Sequence, residues 1–433
     1  MSQTIRSDVG VVQMGVETTA GTLSSNLVRY PVRERPSTEG LKRTTHEHGY
    51  LRAIPVAGKN IVGLSNQATL PIGGYLRGWS SVVPANHPVL LWPGVAGTNQ
   101  PDEAYAFASA LGNIRVSGSG GAATVTGTGD DAGILVVVST TGYLAGDAVA
   151  VNVAGAGLTA QYEVGWVKKV TDATHLELRA PLSAIPQDLA VVHGCTVVWP
   201  SITSSLVVKP ISWTVQGEES YGAVDPQWQC LGGRANSISM KGAASGFAEW
   251  DAEYLFQAAS RVDAGQAISY GNYAFPEREV LRSSEIVLYE SVLGRLARDP
   301  SEVTLDLGLD PRRSDDLTTS TAVQDGGSGI NAPMLTMDPL YTSDLQEWAL
   351  YAAQTSTDVR FSIGTQPGRL VASTMPAAVV KEDPTEGARG NNHRTQGQIW
   401  MPAEYTSDVT SGDVEIAWNN TNAGGAPYAI AWL

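Results

Sequence analysis

Apolar and polar residues alternate with period two along much of this chain. The clearest stretch runs from Cys230 to Tyr254, where Ile238 and Met240 alternate with Ser239 and Lys241. A small-residue turn at Gly242–Gly246 follows, and then Trp250, Ala252 and Tyr254 alternate with Glu249, Asp251 and Glu253. Period two sends successive side chains to opposite faces of a sheet. The stretch therefore predicts a hairpin with one apolar face, whose second strand presents three carboxylates in a row.

The same reading extends along the chain. A strand is expected over 60–71, then a short helical or irregular piece at Gly73–Val83, then a loop marked by Pro84, Pro88 and Pro93. Asp102 and Glu103 open a helix within Pro101–Leu111. Short strands are expected at Ile134–Val138, Asp147–Val153, Tyr162–Val170 and His175–Arg179, and over 202–215. Further on, Val303, Leu305, Leu307 and Leu309 alternate with polar residues, Pro311–Gly329 reads as a polar loop, and Ala332–Asp338 as a strand. A helix is expected over Asp344–Ala353. Ser343 and Gln346 fit its capping box, and Leu345, Trp348, Ala349 and Ala352 share one face. Val359, Phe361 and Ile363 mark another strand, and Asp413-Val-Glu-Ile-Ala-Trp418 repeats the acidic alternation.

These elements suggest an order of domains. Residues 113–194 open with Ser117-Gly-Ser-Gly-Gly-Ala-Ala and read as an inserted small β-sandwich or barrel, a surface decoration dispensable for assembly. The stretches on either side follow a similar order of elements, which points to two copies of one module. The first spans 1–112 and 195–262, the second 283–433, with 263–282 as linker. The fold class expected is mainly β: two tandem β-barrel modules, each with a short flanking helix, plus the inserted β-domain.

Composition narrows the function. The chain has 433 residues, a net charge of −15 and a pI near 4.8. Phosphate binding needs clustered Lys and Arg, so adhesion to nucleic acid is not expected. On charge alone, the acidity reads first as ordinary solubilising charge, and beside that as a means of repelling a duplex and keeping it mobile in a channel. No secretory signal and no long apolar span are read, so no membrane is expected. Cys195 and Cys230 are two cysteines in a long chain, which fits a reducing cytoplasm and buried thiols.

Candidate chemistry is sparse. His46-Glu-His48 offers two imidazoles at alternate positions, but structural zinc takes four ligands, so an exposed loop is the better reading. Gly118-Ser-Gly-Gly121 and Gly326-Gly-Ser-Gly329 lack the strand-to-helix setting of a phosphate cradle and read as turns or linkers. His87, His175, His193 and His393 are scattered. No catalytic residue, no metal and no cofactor is expected, and the chain reads as a non-enzyme. The mixed-charge segment holding Arg33, Glu34, Arg35, Lys42 and Arg43 reads as an exposed arm.

Two short motifs carry a resemblance. Gly15-Val-Glu-Thr-Thr-Ala-Gly21 and the Gly232–Gly246 hairpin with its Asn236-Ser-Ile-Ser core are similar to those of phage tail tube proteins, the major tail proteins of long-tailed, non-contractile phages. The resemblance implies tail-tube-type β-barrel modules that form rings, trimeric with pseudo-sixfold symmetry or hexameric, stacked into a hollow tube. It implies itself as first partner, then the tape measure protein and the tail terminator and distal tail proteins. DNA would pass through the lumen without specific binding. Glu249, Asp251, Glu253, Asp413 and Glu415 would line that lumen. Arg33, Glu34, Arg35, Lys42, Arg43, Arg312 and Arg313 would lie in loops between subunits or rings. The location implied is the virion tail, made and assembled in the bacterial host cytoplasm. Two other readings stand beside it: another tail component, such as a distal tail or terminator protein, and a carbohydrate-binding adhesin, which exposed aromatics on a concave surface would favour.

Overall fold

The computed structural model describes residues 10–24, 27–29, 45–47, 60–62, 68–77, 102–116, 123–126, 132–154, 159–200, 212–219, 227–243, 246–262, 281–290, 294–295, 302–315, 323–330, 333–337, 346–382, 398–402 and 428–433. These residues are mainly β, as the alternation predicts. The chain opens with β1 (Gly10–Val16), β2 (Val28–Arg29), β3 (Thr45–Glu47), β4 (Asn60–Val62) and β5 (Ala68–Tyr75), followed by helix α1 (Asp102–Leu111). Next come β6 (Gly112–Val116), β7 (Ala123–Thr124), β8 (Ile134–Val136), β9 (Ala148–Asn152), β10 (Tyr162–Val170), β11 (His175–Leu178) and β12 (Val191–His193). The middle holds β13 (Thr196–Pro200), β14 (Trp213–Glu219), β15 (Gln227–Ala243), β16 (Glu249–Phe256) and β17 (Ala258–Val262). Then follow β18 (Ile286–Glu290), β19 (Gly294–Arg295), β20 (Glu302–Asp306), β21 (Leu309–Asp315), β22 (Val323–Ile330) and β23 (Met334–Met337). Helix α2 (Gln346–Ala353) leads into β24 (Thr357–Gln366), β25 (Arg369–Val380), β26 (Gln398–Pro402) and β27 (Ala429–Trp432).

One antiparallel sheet of 17 strands dominates. Its spine is β15, which pairs with β16 and β17 along one edge and with β14 and β20 along the other. A second long strand, β25, is arranged similarly, with β24 on one edge and β27 and β26 on the other. Ladders between β15 and β20 and between β13 and β27 join strands from both sides of 263–282. A single core likewise draws Met14, Trp213, Ile238, Trp250, Leu305, Phe361, Trp400 and Trp432 together. Helix α1 lies within this core, with Ala104, Phe107, Ala108 and Leu111 fully buried. A helix apolar on every side belongs in an interior. The Phe107 ring meets Trp432 edge-on at 5.5 Å.

A separate six-stranded sheet, in the order β7-β12-β9-β10-β11-β8, covers the stretch read as inserted. Its end strands meet at one bridge, Val125 to Val137. Val149, Val151, Val167, Leu176 and Val192 fill a core of its own. Its other face is not free. Ala148, Ala150 and Trp166 pack on Val197, Trp199, Leu370, Ala372, Ala429 and Ala431 of the large sheet. Removing this sheet would uncover that apolar layer, so the expectation of a dispensable surface decoration does not fit how it is seated. A partly buried ion pair reinforces the junction. Arg115 on β6 donates from Nε and Nη2 to the two oxygens of Asp147, at 2.7 and 2.6 Å. No closed barrel is found among the described residues.

Several expectations need correction. Pro311–Gly329 is not a loop: β21 and β22 pair as a hairpin, with Leu309 opposite Ile330. Gly326–Gly329 therefore lies on a strand. Gly73–Tyr75 continues β5 rather than turning helical. In α2, Trp348, Ala349 and Ala352 point to solvent, while Leu350 is buried and Tyr351 packs against the core. The expected capping Ser343 lies outside the described residues. His46 falls on the strand pair β3–β4 rather than a loop, while His48 lies outside the described residues.

Candidate functional site

The two sequence motifs meet at one buried carboxylate. Glu17, from the first motif, is 5% exposed. It accepts hydrogen bonds from the backbone N–H groups of Gly21 and Gly232, both at 2.8 Å. The Ser212 and Thr214 hydroxyls donate to it as well, at 2.6 and 2.9 Å. Gly232 belongs to the second motif and has φ of +66°, at a place where an added Cβ would stand 2.6 Å from Gln257 Oε1. A side chain is thus excluded twice, by backbone conformation and by space. Gln257 is the break between β16 and β17, and its N–H bonds the Leu231 carbonyl. Glu17 therefore ties the end of β1, the start of β14 and the bend in β15. This is structural work, and sequence reasoning saw the motif without seeing what its carboxylate holds.

The hairpin carries the candidate surface. Register places Ser239 opposite Asp251, Met240 opposite Trp250 and Lys241 opposite Glu249. Trp250, Ala252, Tyr254 and Phe256 enter the core, so Glu249, Asp251 and Glu253 emerge together on the other face, as the alternation predicts. Asp251 is exposed and the other two are half-buried. Glu253 accepts a short hydrogen bond from Asn236. Gly73 of β5 lies opposite Asp251, and a Cβ there would stand 2.2 Å from Asp251 Oδ1. The glycine makes the room in which this carboxylate lies.

The structure enlarges the acidic face beyond the sequence reading. On the far side of β15, Ser239 also pairs with Asp306, and Ala243 with Glu302. Val303 and Leu305 point inward, which sends Glu302, Thr304 and Asp306 to the acidic side. Asp251, Ser239 and Asp306 thus form one row across three strands. Five carboxylates share this face with Lys241, which pairs with Glu302 at 2.9 Å where both are about half exposed. The signal was present in the alternation of β20, but its adjacency to β16 through β15 is a matter of topology.

The other proposed positions come out differently. Asp413 and Glu415 lie outside the described residues, as do Arg33, Glu34, Arg35, Lys42 and Arg43. Arg312 and Arg313 sit on β21 and so belong to a strand hairpin, not a loop. Among the described residues, no group of three or more His, Cys, Asp or Glu side chains is gathered as metal ligands would be. No helix among them is long and apolar enough to cross a membrane. Cys195 and Cys230 are both buried and unbridged, and burial pushes the Cys230 thiol up to about 12. Trp348 on α2 is the exposed tryptophan among the described residues, on a helix rather than a concave surface.

Comparison with known proteins adds no family: no protein-family model matches the chain, and no curated protein matches it.

Proposed function

We propose that this chain is a structural subunit of a phage tail tube, whose rings stack into a hollow conduit for DNA during ejection. The observation that carries the reading is the acidic face of β16, β15 and β20. Among the described residues, five carboxylates and one lysine share this sheet surface. Facing a lumen, they would repel the phosphate backbone and let a duplex slide without sticking. Neighbouring carboxylates on a strand stand about 7 Å apart, and in water each pair repels by only about 0.5–1 kcal/mol, so the field comes from many copies around the bore. The meeting of both resembling motifs at Glu17 gives the reading further support.

In this reading the chain's first partner is itself. A heterologous contact whose rotation closes makes a ring. Two tube modules per chain would close a ring with three chains and pseudo-sixfold symmetry, and one module would need six. The tape measure protein would set the length, and terminator and distal tail proteins would cap the ends.

Electron microscopy of the purified chain tests the assembly. Long hollow tubes are expected. Single rings alone would favour a distal tail or terminator protein. The channel is tested by Glu249→Lys, Asp251→Lys and Glu253→Lys together, which should leave rings intact and slow DNA ejection. Normal ejection by that variant, or an outer-wall position for these residues, overturns the lumen assignment.

A further inference from the structure

The six-stranded sheet is tied to the rest of the chain at one place. The chain leaves the large sheet at Val116 of β6 and returns at Thr196 of β13, and these two residues stand opposite each other in the β6–β13 ladder. Both covalent connections therefore run through a single two-stranded stem. Beyond it the six-stranded unit has a core of its own. On β9, Val149 and Val151 turn into that core while Ala148 and Ala150 turn to the large sheet, and on β10 Val167 and Trp166 divide in the same way. Past this shared apolar layer the two sheets part around a cleft of about 510 Å³, with Tyr162 and Leu182 on one wall and Tyr289 and Gly364 on the other.

Two sets of charges cross the junction, in opposite senses. Arg115 of β6 reaches the unit's Asp147, which is fully buried, and also donates to the Gly142 carbonyl at 2.7 Å. Tyr143 faces Asp147 from the preceding turn, with Cys195 close by. In the other direction the unit's Arg179, just past β11, exerts its charge on Asp358 of β24. Arg360 of the same strand pairs with Asp358 at 3.3 Å, and the Thr374 hydroxyl of β25 donates to it at 3.3 Å.

We propose that the six-stranded unit is a hinged flap, which swings off the large sheet as one body about the β6–β13 stem, and that Asp147 and Asp358 set how firmly it is seated. A unit with its own core and one covalent stem can move without unfolding. Seating buries both carboxylates, and opening returns them to water. Burial raises the pKa of each above its ordinary 3.8, and the guanidinium groups draw it back. The seated form therefore holds these protons more tightly than the open form. Seating is firmest at acid pH and weakens as pH rises from 3.8 through the raised values. Each guanidinium limits that weakening, so its removal favours the open form. The proposal uses none of the residues of the acidic face, so it stands or falls apart from the tube reading.

The chain carries its own reporter. Cys195 lies buried in the apolar layer, its thiol donating to the Ala148 carbonyl at 2.7 Å, whereas Cys230 lies in the core of the large sheet. The test is reaction of the full chain with dithiodipyridine, read at each cysteine by mass spectrometry and divided by the rate of N-acetylcysteine at the same pH. Cys195 should react at least about ten-fold faster than Cys230, because a local opening costs less than global unfolding. Its normalised rate should fall as the buffer is made more acidic. Arg115→Met should raise that rate about ten-fold or more, since the seated form alone then holds an uncompensated charge. Arg179→Met, at a half-buried position, should raise it as well and keeps the test valid if Arg115→Met fails to fold. Amide exchange along β9, a central strand of the unit, should show that strand opening less often than Cys195 becomes accessible. Equal labelling of the two cysteines overturns the proposal, because global unfolding then accounts for both. Exchange in β9 as frequent as the labelling overturns movement as one body. A normalised rate that stays constant or rises toward acid, or that neither variant changes, overturns the part given to the carboxylates.

Discussion

Glu17 and Arg360 are buried to nearly the same degree, at 5% and 8% exposure, yet their surroundings differ. Four donors from three separate segments converge on Glu17. Arg360 instead rests on the Tyr289 ring and pairs with the Asp358 carboxylate at 3.3 Å. The first arrangement is complete and needs nothing more, so it holds the fold. The second meets one carboxylate and one ring face, contacts that are less directional than four converging hydrogen bonds. Asp147 falls between them: fully buried, it is met by Arg115 and by the Leu144 N–H, and it bridges two sheets.

The contrast is broken most directly at Glu17. Glu17→Ala would strand the N–H groups of Gly21 and Gly232 and two hydroxyls inside the protein. At about 1–3 kcal/mol for each stranded donor, with some rescued by water, the loss should be about 4 kcal/mol or more. Urea denaturation measures it. A loss below about 1 kcal/mol would mean that the network is not what holds β1, β14 and β15 together.

A smaller effect is expected at the sheet junction. Arg115→Met leaves Asp147 as a buried charge without its cation, at a cost of about 3 kcal/mol near neutral pH. The pH dependence gives a sharper check. Burial lifts the Asp147 pKa above its ordinary 3.8, and the Arg115 guanidinium draws it back. The folded state therefore holds this proton more tightly than the unfolded chain. Stability falls as pH rises from 3.8 through the raised folded value. Without Arg115 the folded value rises further and the window widens. The variant's deficit should be largest at neutral pH and shrink as pH falls toward 3.8. A deficit independent of pH would mean that lost packing, not the stranded carboxylate, accounts for the effect.

The legible parts of the fold are the strands with one dry and one wet face. In β16, β20 and β24 the apolar residues recur at every second position, and the structure buries those residues. Besides the β21–β22 hairpin, whose polar sequence reads as a loop, the strands missed include those buried on both faces. In β27, Ala429 and Ala431 meet the six-stranded sheet while Ile430 and Trp432 meet the large core. No alternation remains for a pattern to detect, and such an apolar run has no period of its own. Much of β25 is hidden for the same reason: Leu370 and Ala372 face one layer, Val371 the other. The helix α2 was found but its face was misread, because Trp348 fits an apolar stripe and the packing uses Leu350 instead. The site was half legible. The three acids of β16 are local, whereas Glu302 and Asp306 join them only through pairing across β15.

The smallest effect is expected on the acidic face, and it separates a surface used for its field from one held by its ion pairs. Lys241 and Glu302 pair at 2.9 Å, but their side chains are 46% and 48% exposed. Exposed pairs of this kind contribute about 0–1 kcal/mol, because solvent and salt screen them and two flexible side chains must be ordered. Lys241→Ala should therefore change stability by less than about 0.5 kcal/mol. It should also make the face more negative, removing the one lysine that the described residues place among its five carboxylates. If the field is what the face supplies, the variant should assemble as before and move DNA at least as freely, and its behaviour should approach that of the unaltered chain as salt is raised. A loss of more than about 1 kcal/mol would instead place Lys241 among the groups that hold the sheet, alongside Glu17 and Asp147.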